Sequence, residues 1–337
     1  MATARMIVKD RDPLITPFGK KPSERSVEEL LQAGIINLDK TSGPTSHQVT
    51  AWVRDILQVS KIGHGGTLDP KVSGVLPIAL GRATRGTDLV LRSDKEYVCV
   101  MRLHRDVQPE KLKKIMLTFE GDIFQVPPVR SAVKRQMRIR RVHSLRILEM
   151  SGRDVLFRMQ CDAGTYVRTL CVDVGDALGV GAHMEDLRRV RSGGMKEEDA
   201  VQLQDLKDAC VFWKQGEGKW LRKMIWPMEV LLDPFRKIVV KDSAVDALCH
   251  GADLAAVGIV RLEEGITKGE TVAFVSIKGE GVGMGIALMS SEEMSRAREG
   301  IAASTERVFM DPSTYPKMWE TSAPRIKAAP EDTEKMD

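Results

Sequence analysis

Asp69 stands out by its surroundings, because glycines flank it in the segment Lys61-Ile62-Gly63-His64-Gly65-Gly66-Thr67-Leu68-Asp69-Pro70-Lys71-Val72-Ser73-Gly74-Val75-Leu76-Pro77. Glycines on both sides of a carboxylate allow a backbone path that residues with a Cβ would obstruct, and such a loop can present the acid to a cleft. Pro70 then fixes the direction in which the chain leaves. The pattern is compatible with nucleophilic or acid–base chemistry. Taken alone, however, a single aspartate in a glycine loop is more often a turn residue.

Two familiar uses of such a loop do not fit this segment. A phosphate-cradling loop would end in Gly-Lys-Ser or Gly-Lys-Thr, and that ending is missing. An aspartyl-phosphate nucleophile would have a second aspartate two residues on, but Lys71 stands there. The residues by themselves therefore leave the chemistry open.

Predicted strands and helices surround the loop. Strand patterns occupy residues 35–38, 75–80, 97–104 and 155–161, and helical patterns occupy residues 108–119 and 167–174. A further helix is indicated before the loop by one apolar stripe, Val49, Trp52, Val53, Ile56 and Leu57. Thr45 or Ser46 is placed to cap that helix. Because strands and helices alternate irregularly, the sequence predicts an α+β fold with a mixed, largely antiparallel sheet.

A second unit is predicted to begin near Arg236. Strand patterns occupy residues 238–240, 272–277 and 282–289, and a short helical pattern occupies residues 243–249. The last two strands are joined by Lys278-Gly279-Glu280-Gly281, which is a hairpin signal. Roughly seventy residues with many glycines suffice for one small core, so a small β-barrel is expected.

Composition excludes several classes of protein. The 337 residues predict two or three units, and no apolar run is long enough to span a bilayer. The charged amino terminus does not resemble a secretion signal, so the protein is expected to be cytoplasmic. Five cysteines without a CxxC pair argue against a disulfide framework and against a zinc site. Buried free thiols are therefore predicted.

The basic residues are unevenly distributed. A net charge of +4 indicates little about partners. One acid-free cluster comprises Arg130, Lys134, Arg135, Arg138, Arg140, Arg141 and Arg146, and Arg188, Arg189 and Arg191 follow later. Such a distribution is typical of a contact with a phosphate backbone, although a solvated basic face explains it equally well.

Several motifs together resemble one enzyme family. The segment from His64 to Pro77 is similar to the catalytic motif of the pseudouridine synthases that include the bacterial tRNA uridine-55 enzyme and dyskerin. Three more segments agree in order: Asp39-Lys40 with Gly43-Pro44-Thr45-Ser46-His47, Ala163-Gly164-Thr165-Tyr166-Val167-Arg168, and Gly181-Ala182-His183-Met184 with Leu187-Arg188-Arg189. The second unit resembles an RNA-binding PUA domain through Lys241-Asp242-Ser243-Ala244, His250-Gly251-Ala252-Asp253-Leu254 and Lys268-Gly269-Glu270. The resemblance covers residues 26–315 and is closest to archaeal dyskerin-type enzymes.

The resemblance implies a reaction and a set of site residues. Isomerisation of uridine to pseudouridine moves the glycosidic bond from N1 to C5 without redox change, so neither a cofactor nor a metal is expected. Asp69 is similar to the family's catalytic aspartate, and Arg168 to the arginine that pairs with it. Tyr97 and Tyr166 resemble the tyrosines that line the uracil site, and Leu187 would add an apolar wall. An extended segment would point Tyr166 and Arg168 the same way.

Two further residues belong to the resembling motifs with less specific roles. Lys40 could contact an RNA phosphate, whereas a lysine beside a turn is usually solvated. His64 could hold the neighbourhood of the flipped nucleotide, whereas a loop histidine often supports its own glycine turn. Both are retained as candidates for substrate binding.

The resemblance also implies domains and partners. We expect an extension at residues 1–25 that packs on the PUA domain, a catalytic domain at 26–235, the PUA domain at 236–312, and a tail at 313–337 that is disordered at its end. In box H/ACA ribonucleoproteins, a guide RNA selects uridines in rRNA. Three small proteins accompany the enzyme: a zinc-ribbon or hairpin-like subunit, a glycine-arginine-related β-barrel subunit and a kink-turn-binding ribosomal-type protein. The basic cluster would act as a mobile hairpin near the substrate.

Three rival functions remain open at this point. A stand-alone tRNA uridine-55 synthase would need no guide. A non-catalytic RNA scaffold could keep the fold, although it would have no physical need for Asp69, Tyr97, Tyr166 and Arg168 together. An N-glycosidase could use a carboxylate beside C1′ for hydrolysis, and release of free uracil would identify it.

Overall fold

The computed structural model describes residues 5–127 and 136–318. Its strands are β1 (Met6–Val8), β2 (Gly34–Lys40), β3 (Ile62–His64), β4 (Ser73–Leu80), β5 (Lys95–Leu103), β6 (Gly121–Gln125), β7 (Arg138–Ser151), β8 (Asp154–Cys161), β9 (Ala182–Ser192), β10 (Met195–Lys196), β11 (Trp226–Pro227), β12 (Arg236–Val240), β13 (Leu254–Ala255), β14 (Ile259–Glu263), β15 (Thr271–Val275), β16 (Gly281–Ala287) and β17 (Ile301–Val308). Its helices are α1 (Val27–Gln32), α2 (Ser46–Leu57), α3 (Thr87–Arg92), α4 (Pro109–Leu117), α5 (Val167–Leu178), α6 (Leu203–Lys214), α7 (Lys219–Met224), α8 (Asp242–Cys249) and α9 (Ser291–Arg296).

The chain forms two compact units. The larger unit comprises Lys20–Arg236 with Lys278–Gly281, and the smaller unit comprises Met1–Gly19, Lys237–Ile277 and Val282–Asp337. The amino-terminal segment therefore belongs to the same unit as the second half of the chain. The functional domain limits expected from the sequence remain a proposal.

A ten-stranded sheet organises the larger unit. Its strand order is β11-β2-β4-β9-β5-β8-β7-β6, with β3 paired to β4 and β10 paired to β9. Most neighbours are antiparallel, but β4 and β9 run parallel where Ser73 and Gly74 lie beside Arg188 and Arg189. That pairing brings the end of the Asp69 loop against the middle of β9.

Two apolar cores lie in this unit. One core includes Leu38, Val49, Val53, Leu76 and Leu206, and the other includes Leu68, Tyr97, Phe157, Leu170 and Leu187. Each fully buried leucine contributes about 1.5–3 kcal/mol relative to an exposed one. The chain enters the second core at Leu68 and returns to the first at Leu76, so both cores anchor the Asp69 loop.

Helix α2 begins as its sequence predicts. The Thr45 hydroxyl accepts a hydrogen bond from the Gln48 amide, and the Gln48 side chain accepts one from the Thr45 amide, which forms a capping box. Val49 and Val53 are buried as expected, whereas Trp52, predicted for the same stripe, is 45% exposed. The helix is thus fixed at its start, next to the site.

A seven-stranded sheet organises the smaller unit, in the order β1-β14-β12-β15-β16-β17-β13. Strand β1 pairs with β14 antiparallel. The Lys9 ammonium donates to the carbonyls of Ala256, Met294 and Ala297 at 2.6–2.8 Å. The amino-terminal segment is therefore an integral part of this unit.

The fold class predicted from the sequence is confirmed: the protein is α+β with mixed, largely antiparallel sheets. All five cysteines are free and buried, as expected. Across the described residues, no helix combines the length and apolar character needed to cross a membrane. The end of the tail, which was expected to be disordered, lies outside the described residues.

Candidate active site

Asp69 and Arg168 form an ion pair. The Arg168 Nη2 donates to Asp69 Oδ2 at 2.6 Å across 99 residues of sequence. Helix α5 carries Arg168 in its first turn, so the backbone of this partner is fixed. The side chains are 56% and 49% exposed, respectively. The water-poor cleft expected around Asp69 is therefore not formed by the described residues alone, which leave one side of the carboxylate open.

Lys40 holds the Asp69 loop from below. Its ammonium is fully buried and donates to the carbonyls of Thr41, Pro70 and Val72 at 2.7–3.0 Å. Burial lowers the pKa of Lys40, while the negative charge of Asp69 acts in the opposite direction. Both sequence-based readings, a phosphate contact and a solvated lysine, are wrong, because three backbone carbonyls enclose this ammonium.

The start of helix α2 also fixes the loop. The Ser46 hydroxyl accepts a hydrogen bond from the Leu68 amide at 2.8 Å and donates to the Leu68 carbonyl at 3.1 Å. The Gly43 amide donates to the Pro70 carbonyl at 2.8 Å. Both neighbours of Asp69 in the chain are therefore held in place by the turn that precedes α2.

Arg189 supports the loop from the sheet. Its buried guanidinium donates to the carbonyls of Val75 and Gly66 at 2.8 and 3.0 Å. Gly74 has φ of +104°, and a Cβ there would lie 2.2 Å from the Arg189 carbonyl oxygen, so only glycine fits. Burial lowers the pKa of Arg189. The sequence reading assigned Arg189 no role in the site.

Tyr97 and Leu187, both predicted from the resemblance to line the site, lie in the core beside the Asp69 loop. Tyr97 faces Arg189 across the β5–β9 pairing, and Leu187 faces Cys99 in the same register. Both side chains are buried, at 9% and 8% exposure, and they share one core with Leu68. The Tyr97 hydroxyl interacts with the guanidinium of Arg189, and burial raises the pKa of Tyr97. The structure thus brings these two predicted residues next to the Asp69 loop.

Tyr166 immediately precedes helix α5. Gln125 holds its backbone in both directions, because the Gln125 amide donates to the Tyr166 carbonyl at 3.0 Å and accepts from the Tyr166 amide at 2.9 Å. The expected extended geometry over Tyr166 and Arg168 is wrong, since helix α5 begins at Val167. Gln125 is buried, and its two hydrogen bonds tie the backbone of Tyr166 to strand β6. No motif in the sequence indicated this residue.

His64 ends strand β3 and is half-buried. Its ring lies 5.0 Å from that of His47 in an edge-on arrangement. Burial lowers the pKa of His64, and the nearby His47 and Arg189 act in the same direction. The contact with the start of α2 favours a supporting role in the loop, and the substrate-binding role of His64 stays a prediction.

A second buried lysine lies next to the site. Lys95, at the start of β5, donates to the Val90 carbonyl at 2.8 Å and to both the carbonyl and the hydroxyl of Ser93. Burial lowers the pKa of Lys95 to about 8, and Arg189 also contributes to this shift. The sequence reading did not identify it.

Two arginines of β9, Arg188 and Arg191, form ion pairs within the protein. Arg188 forms two hydrogen bonds with Asp39, at 2.9 and 3.0 Å, and a third with Glu197 at 2.9 Å. Arg191 pairs with Glu96 at 3.1 Å. The pairing of Arg188 and Arg191 with acids accounts for their charge within the protein, and the phosphate contact predicted from this part of the sequence stays a prediction. Of the earlier basic cluster, Arg130, Lys134 and Arg135 lie outside the described residues, and Arg138, Arg140, Arg141 and Arg146 lie on β7.

One group of side chains has ligand types that could hold a metal ion. Potential ligand atoms of Asp94, His143 and Asp162 lie within 4.8 Å of one another. Neither Asp69 nor Arg168 belongs to this group. That the reaction needs no metal or cofactor stays a prediction.

Family models match nearly the whole described chain. Residues 54–167 match the TruB family pseudouridylate synthase N-terminal domain, and residues 168–233 match the tRNA pseudouridylate synthase B C-terminal domain. Residues 236–309 match the PUA domain, and residues 2–50 match the DKCLD domain. The chain is 52% identical over 316 residues to a protein of Methanocaldococcus jannaschii called "Probable tRNA pseudouridine synthase B", covering 94% of each chain. The chain belongs to the TruB family of pseudouridine synthases.

Other members of the TruB family agree. The similarly named protein of Methanothermobacter thermautotrophicus is 54% identical over 303 residues, covering 90% of this chain and 94% of its own. A solved "Cbf5-Nop10-Gar1 Complex" contains a chain with 50% identity and a TM-score of 0.87, covering 94% of this chain and 97% of that one. A structure of an "H/ACA RNP bound to a substrate RNA containing 2'-deoxyuridine" gives 48% identity and a TM-score of 0.87, with coverage of 94% and 98%. This TruB-family member is therefore an RNA uridine isomerase with the fold of archaeal Cbf5.

Proposed function

We propose that this TruB-family enzyme is the catalytic subunit of a box H/ACA ribonucleoprotein, which isomerises guide-selected uridines of rRNA to pseudouridine. The 2.6 Å contact between Asp69 and Arg168 carries the catalytic part of the proposal. Similarity at 48–50% identity to chains solved in H/ACA and Cbf5–Nop10–Gar1 complexes supports the ribonucleoprotein part. The enzyme would thereby act in rRNA processing and ribosome biogenesis in the cytoplasm.

Asp69 is the proposed catalytic residue. An ionised carboxylate beside the ribose either attacks C1′ or removes a proton from C2′, and both routes release the uracil. The Arg168 guanidinium keeps the carboxylate charged and oriented through a charge-assisted hydrogen bond. The buried anchors of the loop, Lys40, Ser46 and Arg189, fix the position of this pair.

Tyr97, Tyr166 and Leu187 are the proposed walls for the flipped base. Stacking of an unpaired base on an aromatic ring contributes about 1–3 kcal/mol. Because Asp69 is half exposed, the bound nucleotide itself must complete the enclosure of the carboxylate. Base flipping therefore delivers the uracil to the site and also excludes water from the Asp69 carboxylate.

The proposed partners are the guide RNA, the substrate rRNA and three small proteins. Nop10 and Gar1 accompany the similar chain in one solved complex, which supports small protein partners for this chain. The zinc-ribbon or hairpin-like subunit, the β-barrel subunit and the kink-turn-binding ribosomal-type protein are proposed from the family resemblance. In the PUA domain, lysines such as Lys241 and Lys268 would position RNA phosphates, which carry no sequence information.

A second candidate is guide-independent modification of uridine 55 in tRNA. The names of the curated relatives, "Probable tRNA pseudouridine synthase B", favour it. The same Asp69 site would serve both reactions. Only the means of selecting the uridine would differ.

The test is a pseudouridine assay with the full chain on an rRNA fragment and on tRNA, each with and without guide RNA and partner proteins. We expect conversion of the rRNA target only when the matching guide is present, and retention of the uracil in the product. Conversion of bare tRNA at an equal rate would favour the stand-alone enzyme. Release of free uracil, or conversion of neither RNA, would contradict the proposal.

A further inference from the structure

Three buried cations lie on strands β2, β5 and β9 of the sheet that carries the Asp69 loop. Lys40, Lys95 and Arg189 are 0%, 4% and 2% exposed, respectively. Their hydrogen-bond partners are backbone carbonyls and neutral hydroxyls. Within residues 5–127 and 136–318, none of the three forms an ion pair with a carboxylate. The floor of the site therefore holds buried positive charge that no carboxylate contacts directly, although the charges of Asp69 and Asp94 act on Lys40 and Lys95, respectively.

Arg189 lies close enough to influence both lysines. Burial lowers the pKa of each, and Arg189 lowers the pKa of both Lys40 and Lys95 further. Burying a charge without a counter-ion is costly, and a protein usually pairs such groups. Three unpaired cations beside one catalytic loop therefore indicate that an anion forms or arrives there during function.

The position of the cations restricts the kind of anion. Lys95 and Tyr97 are two residues apart and both buried, so they lie on the same face of β5, and Arg189 faces Tyr97 across the sheet. An RNA phosphate could not contact cations that are 0–4% exposed. A uracil enclosed against Tyr97 would experience their field at short range and in a medium of low dielectric constant.

The proposed reaction produces such an anion. When the bond from N1 to C1′ breaks, its electron pair goes to N1, whether the Asp69 carboxylate gives a pair to C1′ or takes a proton from C2′. The uracil then carries one negative charge over N1 and its carbonyl oxygens. When C5 bonds to C1′, the Asp69 carboxylate either leaves C1′ or returns its proton to C2′. The C5 proton is then lost and N1 gains a proton, so no oxidant or reductant is needed.

We propose that Lys40, Lys95 and Arg189 form an electrostatic floor that stabilises the detached uracil anion. This inference rests on the proposed isomerisation at Asp69. Preorganised charges directed at developing charge lower the barrier, because they need no reorganisation during the reaction. Lys40 and Arg189 also position the loop through their hydrogen bonds. Among the described residues, Lys95 donates only to Val90, Leu91 and Ser93. A substitution of Lys95 therefore tests the electrostatic effect separately from the position of the loop.

The experiment varies the charge of the enzyme and the leaving group of the RNA together. Wild-type and Lys95→Met enzymes are compared on two RNAs that differ only in the target nucleoside, uridine or 5-fluorouridine. Fluorine makes the departing uracil anion less basic, so it needs less stabilisation. We expect Lys95→Met to slow bond cleavage in a single turnover by about 20-fold with uridine but only about threefold with 5-fluorouridine.

The matched control is Lys9→Met. Lys9 is likewise a lysine on three carbonyls whose pKa burial lowers, but it lies in the smaller unit. We expect its cleavage rates to stay within about twofold of wild type on both RNAs. If Lys95→Met does not fold, Lys95→Gln keeps amide donors near the same carbonyls and removes only the charge.

Each other outcome would overturn the inference. An equal loss of rate with uridine and 5-fluorouridine in Lys95→Met and Lys95→Gln would indicate a purely structural role for Lys95. Wild-type rates in these variants would indicate that Lys95 has no role in the reaction. A loss confined to RNA affinity would indicate a phosphate contact instead. If the wild-type enzyme itself cleaves neither RNA, the proposed isomerase function fails first, so the two failures are distinguishable.

Discussion

Arg188 and Arg189 are neighbours on β9, yet their surroundings are opposite. Arg188 is about one-third exposed and pairs with Asp39 and Glu197, and these partners raise its pKa. Arg189 is 2% exposed, binds only carbonyls and the Tyr97 hydroxyl, and burial lowers its pKa. Because side chains alternate along a strand, adjacent residues enter different regions of the molecule.

The difference separates charges that stabilise the fold from charges that serve the reaction. Around Arg188 every positive charge has a carboxylate beside it, which is the usual arrangement. Within residues 5–127 and 136–318 Arg189 forms no ion pair with a carboxylate, and the half-exposed Asp69 pairs with Arg168 instead. Unpaired buried charge lowers stability, so we interpret it as retained for function.

Removal of the one negative charge at the site gives the largest expected effect. Asp69→Asn keeps the shape of the side chain, so we expect product formation to fall by about 10⁴-fold or more with RNA affinity nearly unchanged. Single-turnover pseudouridine formation and filter binding measure the two quantities. Asp154→Asn is the matched control, because Asp154 forms an exposed pair with Arg102 at 2.7 Å. Full activity in Asp69→Asn would remove its catalytic role.

Replacement of Arg168, the partner of Asp69, should give the next largest loss of activity. Arg168→Lys retains the charge but loses the planar guanidinium, so we expect activity to fall by about 10²-fold. Arg102→Lys makes the same change in the Asp154 pair and should leave the rate unaltered. The same assay applies, and a wild-type rate in Arg168→Lys would exclude the orienting role of the guanidinium.

The two neighbouring arginines can be compared directly. We expect Arg189→Met to slow the reaction by about 30-fold or more, because the loop and Tyr97 lose a common support. Arg188→Met should change the rate by less than about threefold and lower the free energy of unfolding by about 1 kcal/mol, since its ion pairs are partly screened. Kinetics and urea denaturation of both variants test this. Equal effects of the two substitutions on the rate would contradict the assignment of Arg189 to the reaction and of Arg188 to the stability of the fold.

The last expected effect concerns stability and its dependence on pH rather than the rate of the reaction. Lys95 has a pKa of about 8 when folded, against 10.5 as the ordinary value, so between these values the unfolded chain binds more protons. The stability contributed by Lys95 therefore rises with pH across that window. Relative to Lys95→Met, the wild type should gain on the order of 3 kcal/mol between pH 7 and pH 10. A difference in unfolding free energy that is independent of pH would show that burial does not destabilise this ammonium.

Sequence patterns predicted most of the fold because local periodicity determines it. The apolar stripe of α2 and its cap at Thr45, and the strands around Tyr97 and Phe157, follow from residue spacing alone. The extended geometry of Tyr166 and Arg168 was wrong because helix α5 begins at Val167, where the apolar spacing itself predicted a helix, so only Tyr166 is extended. Helix boundaries are the part of a pattern that tertiary contacts most easily shift.

The site was predicted only in part, since its supports are non-local. The Asp69–Arg168 pair came from motif resemblance, whereas the buried partners Lys40, Lys95, Gln125 and Arg189 depend on strand register. A lysine or arginine in a sequence is normally assigned to the surface. Only the register of Tyr97 opposite Arg189 shows that this arginine points inward. Lys95 occupies a position of β5 that alternates with less buried ones and faces the core. A basic residue at such a position is the sequence signal that could have revealed a buried cation.

The pairing of β1 with β14 has a consequence for shortened chains. Strand β1 is the outermost strand of the seven-stranded sheet, and its loss would leave the backbone donors and acceptors of β14 unsatisfied. Thr16 also donates to the Asp242 carboxylate through its amide and hydroxyl, at 2.9 and 2.7 Å. A fragment that starts at Arg236 would therefore expose the unpaired edge of β14 and leave the Asp242 carboxylate without its hydrogen bonds from Thr16. An exposed sheet edge tends to pair with a strand of another molecule. Such a fragment is expected to self-associate, and adding residues 1–19 back should return it to a monomer.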